Sequence, residues 1–298
     1  MSTSSYTAAP SLASGTTFNA WGGGLSTALA AVGLTKTGDT GQVTWSTSVT
    51  PPGVLDTYPY YEVWRFNDAL QATSPIFFKL EYGSSYLALG DCGLRITVGT
   101  GSDGAGNITG NISSLATPGS GANSATLQTC YVSSDGGRVN VVMFAGAVLS
   151  VSFGFYIERL KNNAGAVAAG GVDVFAFGYE TNGATAATSF QQWLCDTNVG
   201  LKNPNTPATV PLCAMPATGT GTFGGNVGLY PIVPIQGYAG FPTMGALAFF
   251  AADITTSGVG ITLSMYGTNH NFITTVNTPT QPTLNGNTAA WGVAMRYE

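Results

Sequence analysis

Over most of its length the chain alternates apolar, β-branched runs with clusters of Gly, Asn, Ser and Pro, and this pattern limits the fold more than any other feature. Runs this short, punctuated by turn residues, make strands; a helical protein needs longer segments of period 3.6. The strongest strands are expected at "IFFKLEYG" (76–83), "LRITVG" (94–99), "RVNVVMFAG" (138–146), "VLSVSFGFYIERL" (148–160), "GVDVFAFGYE" (171–180), "GITLSMYG" (260–267) and "WGVAMRYE" (291–298). The Asp-Gly in "SSDGGRV" (133–139) marks a tight hairpin, and "KNNAGA" (161–166) has similar turn chemistry. One segment reads as a helix. In "GGGLSTALAAVGL" (22–34), Leu25, Leu29 and Val32 fall at i, i+4 and i+7, and Gly33 follows as a stop.

The expected fold is therefore all-β: an antiparallel, jelly-roll-like β-sandwich with long Gly/Ser/Thr-rich loops and a short N-terminal helix. Residues 1–20 read as an arm, extended or loosely docked. Residues 21–165 read as a β-rich domain or the first half of one large sandwich, and 166–298 as the second half or domain. "AGAVAAGG" (164–171) marks the junction. Two stretches, 100–124 and 197–225, resist strand assignment, and loops of that length often serve as contact surfaces.

Composition excludes several function classes. Charged residues make up 8% of the 298, against roughly a quarter in an average soluble domain. With 44% hydrophobic residues the chain has ample material for a core and does not read as disordered. Nine Lys and Arg against fourteen Asp and Glu, with no basic window, argue against nucleic acid and against anionic membranes. No run reaches the ~18 apolar residues of a spanning helix. The N-terminus "MSTSSYTAAPSLASG" lacks a basic region followed by an apolar one, so a cytosolic origin is expected. Cys92, Cys130, Cys195 and Cys213 show no zinc spacing and are expected as reduced, mostly buried thiols.

Chemistry-bearing motifs are sparse. "GTGSDG" (99–104) satisfies G-x-G-x-x-G, but no helix follows it to face a pyrophosphate, so it reads as a glycine loop. His270 is the single histidine, in what reads as a polar turn, "YGTNHNF" (266–272), and no nucleophile elbow accompanies it. No carboxylate pair or metal spacing stands out. The expectation is no enzyme, no cofactor and no metal.

The unusual stretch is "VWRFNDALQATSPIFFKLEYG" (63–83), which gathers Arg65, Asp68, Lys79 and Glu81 in a chain nearly free of charge. Asn67 is placed to cap a single turn over Ala69–Ala72 that Pro75 ends. Strand alternation then puts Ile76, Phe78, Leu80 and Tyr82 on one face and Phe77, Lys79 and Glu81 on the other. Arg65 and Asp68 are near enough in sequence for a local ion pair across the turn. Lys79 and Glu81 offer themselves to a cross-strand partner. The four residues are structural or interface candidates, expected to hold register or a subunit contact rather than to carry a reaction.

Four segments carry a resemblance. "LSTALAAVGLTKTGDTGQVTWST" (25–47), "YYEVWRFNDALQATSPIFFKLEYGS" (60–84), "ITVGTGSDGAGNITG" (96–110) and "FGFYIER" (153–159) resemble, in order, a group of tailed-bacteriophage virion proteins. The resemblance implies a structural component of the virion assembled in the bacterial cytoplasm, either a capsid decoration protein or a tail or fibre part. Its partners would be other virion proteins and further copies of itself, a trimer being the expected form. It assigns no catalytic residues. The alternative is a fibre module that binds host-surface glycans, with Trp21, Trp193 and Tyr230 as stacking aromatics.

Overall fold

The computed structural model describes residues 1–45, 49–85, 90–110, 126–145, 151–161 and 166–177, together with strand segments between 191 and 297. Among the described residues antiparallel strands dominate, with one α-helix. In chain order the first elements are β1 (Ser2–Ala8), α1 (Gly15–Ala31), β2 (Thr35–Lys36), β3 (Tyr60–Arg65), a 3-10 turn (Ala69–Ala72), β4 (Phe77–Ser84) and β5 (Cys92–Gly99). A small hairpin follows, β6 (Gly101–Ser102) and β7 (Ile108–Thr109). Then come β8 (Gln128–Ser134), β9 (Arg138–Ala145), β10 (Val151–Lys161), β11 (Val167–Phe177), β12 (Gln191–Asp196) and β13 (Gly200–Lys202). The remainder comprises β14 (Thr222–Phe223), β15 (Asn226–Val227), β16 (Tyr230–Pro231), β17 (Leu247–Ala251), β18 (Gly260–Met265), β19 (Thr268–Thr275) and β20 (Trp291–Arg296).

Three larger sheets form. One is a four-stranded meander, β2-β3-β4-β5; the second has seven strands in the order β1-β8-β9-β10-β11-β12-β13; the third orders β16-β17-β20-β19-β18. The seven-stranded sheet runs without a break through the 165–166 junction, because β10 pairs with β11. The first two sheets and α1 share one hydrophobic core. Trp64, Phe78, Leu80, Leu94 and Ile96 come from one sheet, Val132, Val141, Phe153 and Phe155 from the other, and Phe18, Trp21, Leu25 and Leu29 from the helix. Each such large side chain contributes about 1.5–3 kcal/mol on burial. The third sheet touches the second where the Arg296 carbonyl accepts from Ser133 Oγ at 2.8 Å and Asn140 Nδ2 at 3.0 Å.

The first residues are more ordered than a loose arm. Ser2–Ala8 pair along their length with β8, and α1 begins seven residues earlier than the start of the segment read as helical. Ser14 opens it with a capping box: its Oγ accepts from Thr17 N–H at 3.1 Å, and Thr17 Oγ1 accepts from Ser14 N–H at 3.2 Å. The end is a Schellman motif. Gly33 stands at φ +92°, its N–H donates to Ala30 and the Leu34 N–H to Leu29.

Three consecutive glycines, 22–24, would ordinarily weaken a helix by about 1 kcal/mol each relative to Ala. Here they admit aromatic side chains against the helix backbone. A Cβ on Gly22 would lie 2.2 Å from the Trp45 ring, and one on Gly24 would lie 2.3 Å from the Tyr6 ring. Trp45 also meets Tyr82 edge-on, with centroids 5.0 Å apart. Gly22→Ala should thus lower stability by about 1–3 kcal/mol through overpacking, despite its better helix propensity. A denaturant midpoint equal to or above the parent's would show that Trp45 does not depend on this close approach.

Candidate functional site

The strand faces of the 63–83 block fall as alternation requires. Phe78, Leu80 and Tyr82 are buried, while Phe77, Lys79 and Glu81 lie half-buried on the opposite face. The turn forms over Ala69–Ala72, with Asp68 rather than Asn67 at its N-cap and no side-chain cap bond. The Asp68 carboxylate is committed elsewhere.

That commitment corrects the expected Arg65–Asp68 pair. Asp68 meets Arg159, ninety-one positions away on β10: Nη1 reaches Oδ2 at 2.6 Å and Nη2 reaches Oδ1 at 2.8 Å. The remaining Arg159 donors go to the Ser74 carbonyl (Nε, 2.7 Å), Gln71 Oε1 (Nη2, 3.2 Å) and, weakly, the Gly136 carbonyl (Nη1, 3.5 Å). The guanidinium also sits 5.2 Å from the Phe66 ring. Arg159 is only 2% exposed, and all five of its N–H groups have acceptors. This bridge ties the 65–75 segment of the four-stranded sheet to β10 and to the β8–β9 hairpin.

A second charged hub lies at Glu62, which has 0% exposure. Its Oε1 accepts from Lys36 Nζ at 2.7 Å and Ser26 Oγ at 2.8 Å, and its Oε2 from Tyr82 Oη at 2.8 Å and Trp64 Nε1 at 3.3 Å. One carboxylate thereby joins α1, β2, β3 and β4. Burial, and then the Glu62 charge, push the Tyr82 phenol well above its ordinary pKa, so it stays a donor.

The "DTGQ" and "GTGSDGAGN" segments meet over the outer face of the four-stranded sheet. Asp39 accepts from Thr37 Oγ1 at 2.6 Å, from the Gly106 N–H at 2.9 Å and from the Ser102 hydroxyl. Burial alone would raise its carboxyl; the three hydrogen bonds outweigh that and hold it below the usual carboxylate range. Thr40 N–H donates to Gly104 at 2.9 Å, and Gln42 Oε1 accepts from Val63 N–H at 2.7 Å. Asp103 closes the β6–β7 loop on itself through Ala105 and Asn107, so "GTGSDG" is a self-bonded hairpin.

Lys79 and Glu81 pair with each other at 3.0 Å along the strand, not with a cross-strand partner. Lys79 also lies 4.6 Å over the Tyr61 ring. Arg65 has no ion pair among the described residues. It lines an open groove of about 570 Å³ with Phe77, Thr35, Thr37, Ser102 and Gly104, between the 3-10 turn and the Asp39 loop.

Other residues singled out in the sequence find plainer places. His270 lies within strand β19, opposite Leu263, rather than in a turn. Trp21 is buried in the core and so unavailable for stacking on a sugar; the side chains of Trp193 and Tyr230 lie outside the described residues. Cys92 and Cys130 are buried thiols that form no disulfide, and burial pushes the Cys130 thiol up to about 12. Cys195 and Cys213 lie outside the described side chains, as do most of the long 100–124 and 197–225 stretches. Among the described residues no group of three His, Cys, Asp or Glu is placed to hold a metal, and no helix is long and apolar enough to cross a membrane.

Sequence reasoning did not single out Glu62, Asp39 or Arg159. Strand parity offered one signal, since Glu62 shares the inward face of "YYEVW" with Trp64. Comparison with protein-family models and with curated proteins found no match for the chain.

The lowered Asp39 pKa fixes the sign of a pH dependence. Its folded value lies below its unfolded value of about 3.9, so its stabilisation is present above that range and disappears as pH falls through the folded value. Asp39→Asn should therefore be less stable than the parent at pH 7, with the gap in thermal midpoint narrowing on acidification below about pH 4. A gap that stays constant across this range would mean that the Asp39 charge does not hold the loops.

Proposed function

We propose that the chain is a non-enzymatic structural protein of the exterior of a tailed-phage virion, acting as capsid decoration or as a tail or fibre component. The observation that carries this reading is where the resemblance-bearing residues go. Asp39 and Gln42 of "DTGQ", Glu62 and Asp68 of "YEVWRFND", Asp103 of "GTGSDGAGN" and Arg159 of "FYIER" all spend their polar groups on hydrogen bonds within the chain. The shared words specify an architecture, which is what a component selected for building needs. In the same proposal, the two sheets packed on one core are a jelly-roll-like sandwich.

Low surface charge and Ser/Thr-rich edges suit contacts among many copies. Strand β1 is an edge of its sheet, and its sequence "STSSYTA" carries no charge or proline to discourage pairing. We propose a closed homo-oligomer, a trimer, seated on other virion proteins. The test is quantitative mass spectrometry of washed particles together with native mass spectrometry of the purified chain. A trimer mass and a fixed copy number per virion are expected: hundreds for head decoration, far fewer for a tail part. A monomer that is absent from washed particles would overturn the proposal.

A further inference from the structure

The chain has nine Lys and Arg, and among the described residues five are ion-paired: Lys36 with Glu62, Lys79 with Glu81, Arg95 with Asp56, Arg138 with Asp135 and Arg159 with Asp68. Arg65 departs from that habit. It is half-buried at the end of β3, opposite Thr35 on one side and Phe77 on the other, and no described carboxylate reaches it. A half-buried guanidinium keeps its fork of donors and gains from a planar carboxylate that can accept two of them.

The groove around Arg65 says what else such a ligand carries. Its lining brings together the half-buried Phe77 and Thr35, the strand neighbours of Arg65, with Thr37, Asp39, Ser102 and Gly104. The Thr37 and Ser102 hydroxyls donate to Asp39 and accept only long bonds, from Gln42 Nε2 at 3.5 Å and Gly104 N–H at 3.4 Å, so each oxygen keeps acceptor capacity for a hydroxyl donor. Asp39 itself lines the groove, its carboxylate held by Thr37, Ser102 and Gly106, and a fixed negative charge there disfavours ligands that carry more than one, such as phosphate esters. Lys36 lines the groove too, but its ammonium is held by Glu62 and by the Val43 carbonyl at 2.9 Å. About 570 Å³ is within the range of small-molecule sites.

We propose that this groove binds a monoanionic, polyhydroxylated ring, a sugar acid of the hexuronate class. Arg65 takes the carboxylate, Phe77 lies under the ring, and the Thr37 and Ser102 oxygens accept from ring hydroxyls. The site stands independently of where the protein resides, because its ligand is read by the isolated chain.

Titration of the purified protein at low ionic strength, followed by ligand-observed NMR, tests it with glucuronate, glucose and acetate as probes. Glucuronate should bind at least about tenfold more tightly than glucose, which lacks the carboxylate, and than acetate, which lacks the ring. Arg65→Gln should weaken glucuronate by about tenfold or more, with an unchanged circular-dichroism melt and unchanged oligomeric mass. Arg65→Lys should fall between, since an ammonium keeps the charge and loses the fork. Equal binding of the three probes by the parent protein would overturn the proposal, as would undiminished glucuronate binding by Arg65→Gln. A shift in oligomeric mass in Arg65→Gln, without glucuronate binding by the parent, would assign Arg65 to a subunit contact instead.

Discussion

The two-pronged contact between Arg159 and Asp68 is the interaction on which the arrangement of the first two sheets depends. Hydrophobic burial holds the sheets together but is non-directional, and it sets no unique position of one sheet over the other. The guanidinium does. It lies at the end of the row of inward-facing residues Phe153, Phe155 and Ile157, and its closest acceptors come from the loop that joins two strands of the opposing sheet. A charge this deeply buried is costly unless every donor is satisfied, and satisfaction here requires Asp68, Gln71, Ser74 and Gly136 in one arrangement. Glu62 plays the corresponding part between the helix and the four-stranded sheet.

This use of charge makes sense of the composition. A chain with 8% charged residues places several of them in or near its core, where the low dielectric makes a satisfied ionic hydrogen bond strong and geometrically selective. Among the described residues Arg65 is conspicuous because it is a half-buried cation without a described partner.

Local rules read much of this from the sequence. Alternation placed Phe78, Leu80 and Tyr82 inward, the Asp-Gly signal located the β8–β9 hairpin, and Gly33 marked the end of the helix. The helix start was hidden because Gly22–Gly24 look like a break until Trp45 and Tyr6 are known to press against them. The charge partners were hidden for a different reason. Arg65 is three residues from Asp68 and Arg159 is ninety-one, so proximity in sequence favoured the wrong arginine; only the packing of β10 behind the turn brings the right one within reach. The meeting of "DTGQ" with "GTGSDGAGN" is likewise tertiary, set by two loops lying over one sheet face.

A double-mutant cycle on Asp68→Ala and Arg159→Met, with Arg65→Ala as the control, tests the bridge most directly. Asp68→Ala should cost about 3–5 kcal/mol by leaving the Arg159 charge buried and unpaired, and Arg159→Met less, since the Asp68 side chain is 20% exposed and water can reach it. The double variant should recover on the order of 2 kcal/mol relative to their sum, and Arg65→Ala should stay within about 0.5 kcal/mol of the parent. Additive losses at 68 and 159, or a larger loss at 65 than at 68, would contradict the assignment of the Arg159–Asp68 bridge as the tie between the two sheets.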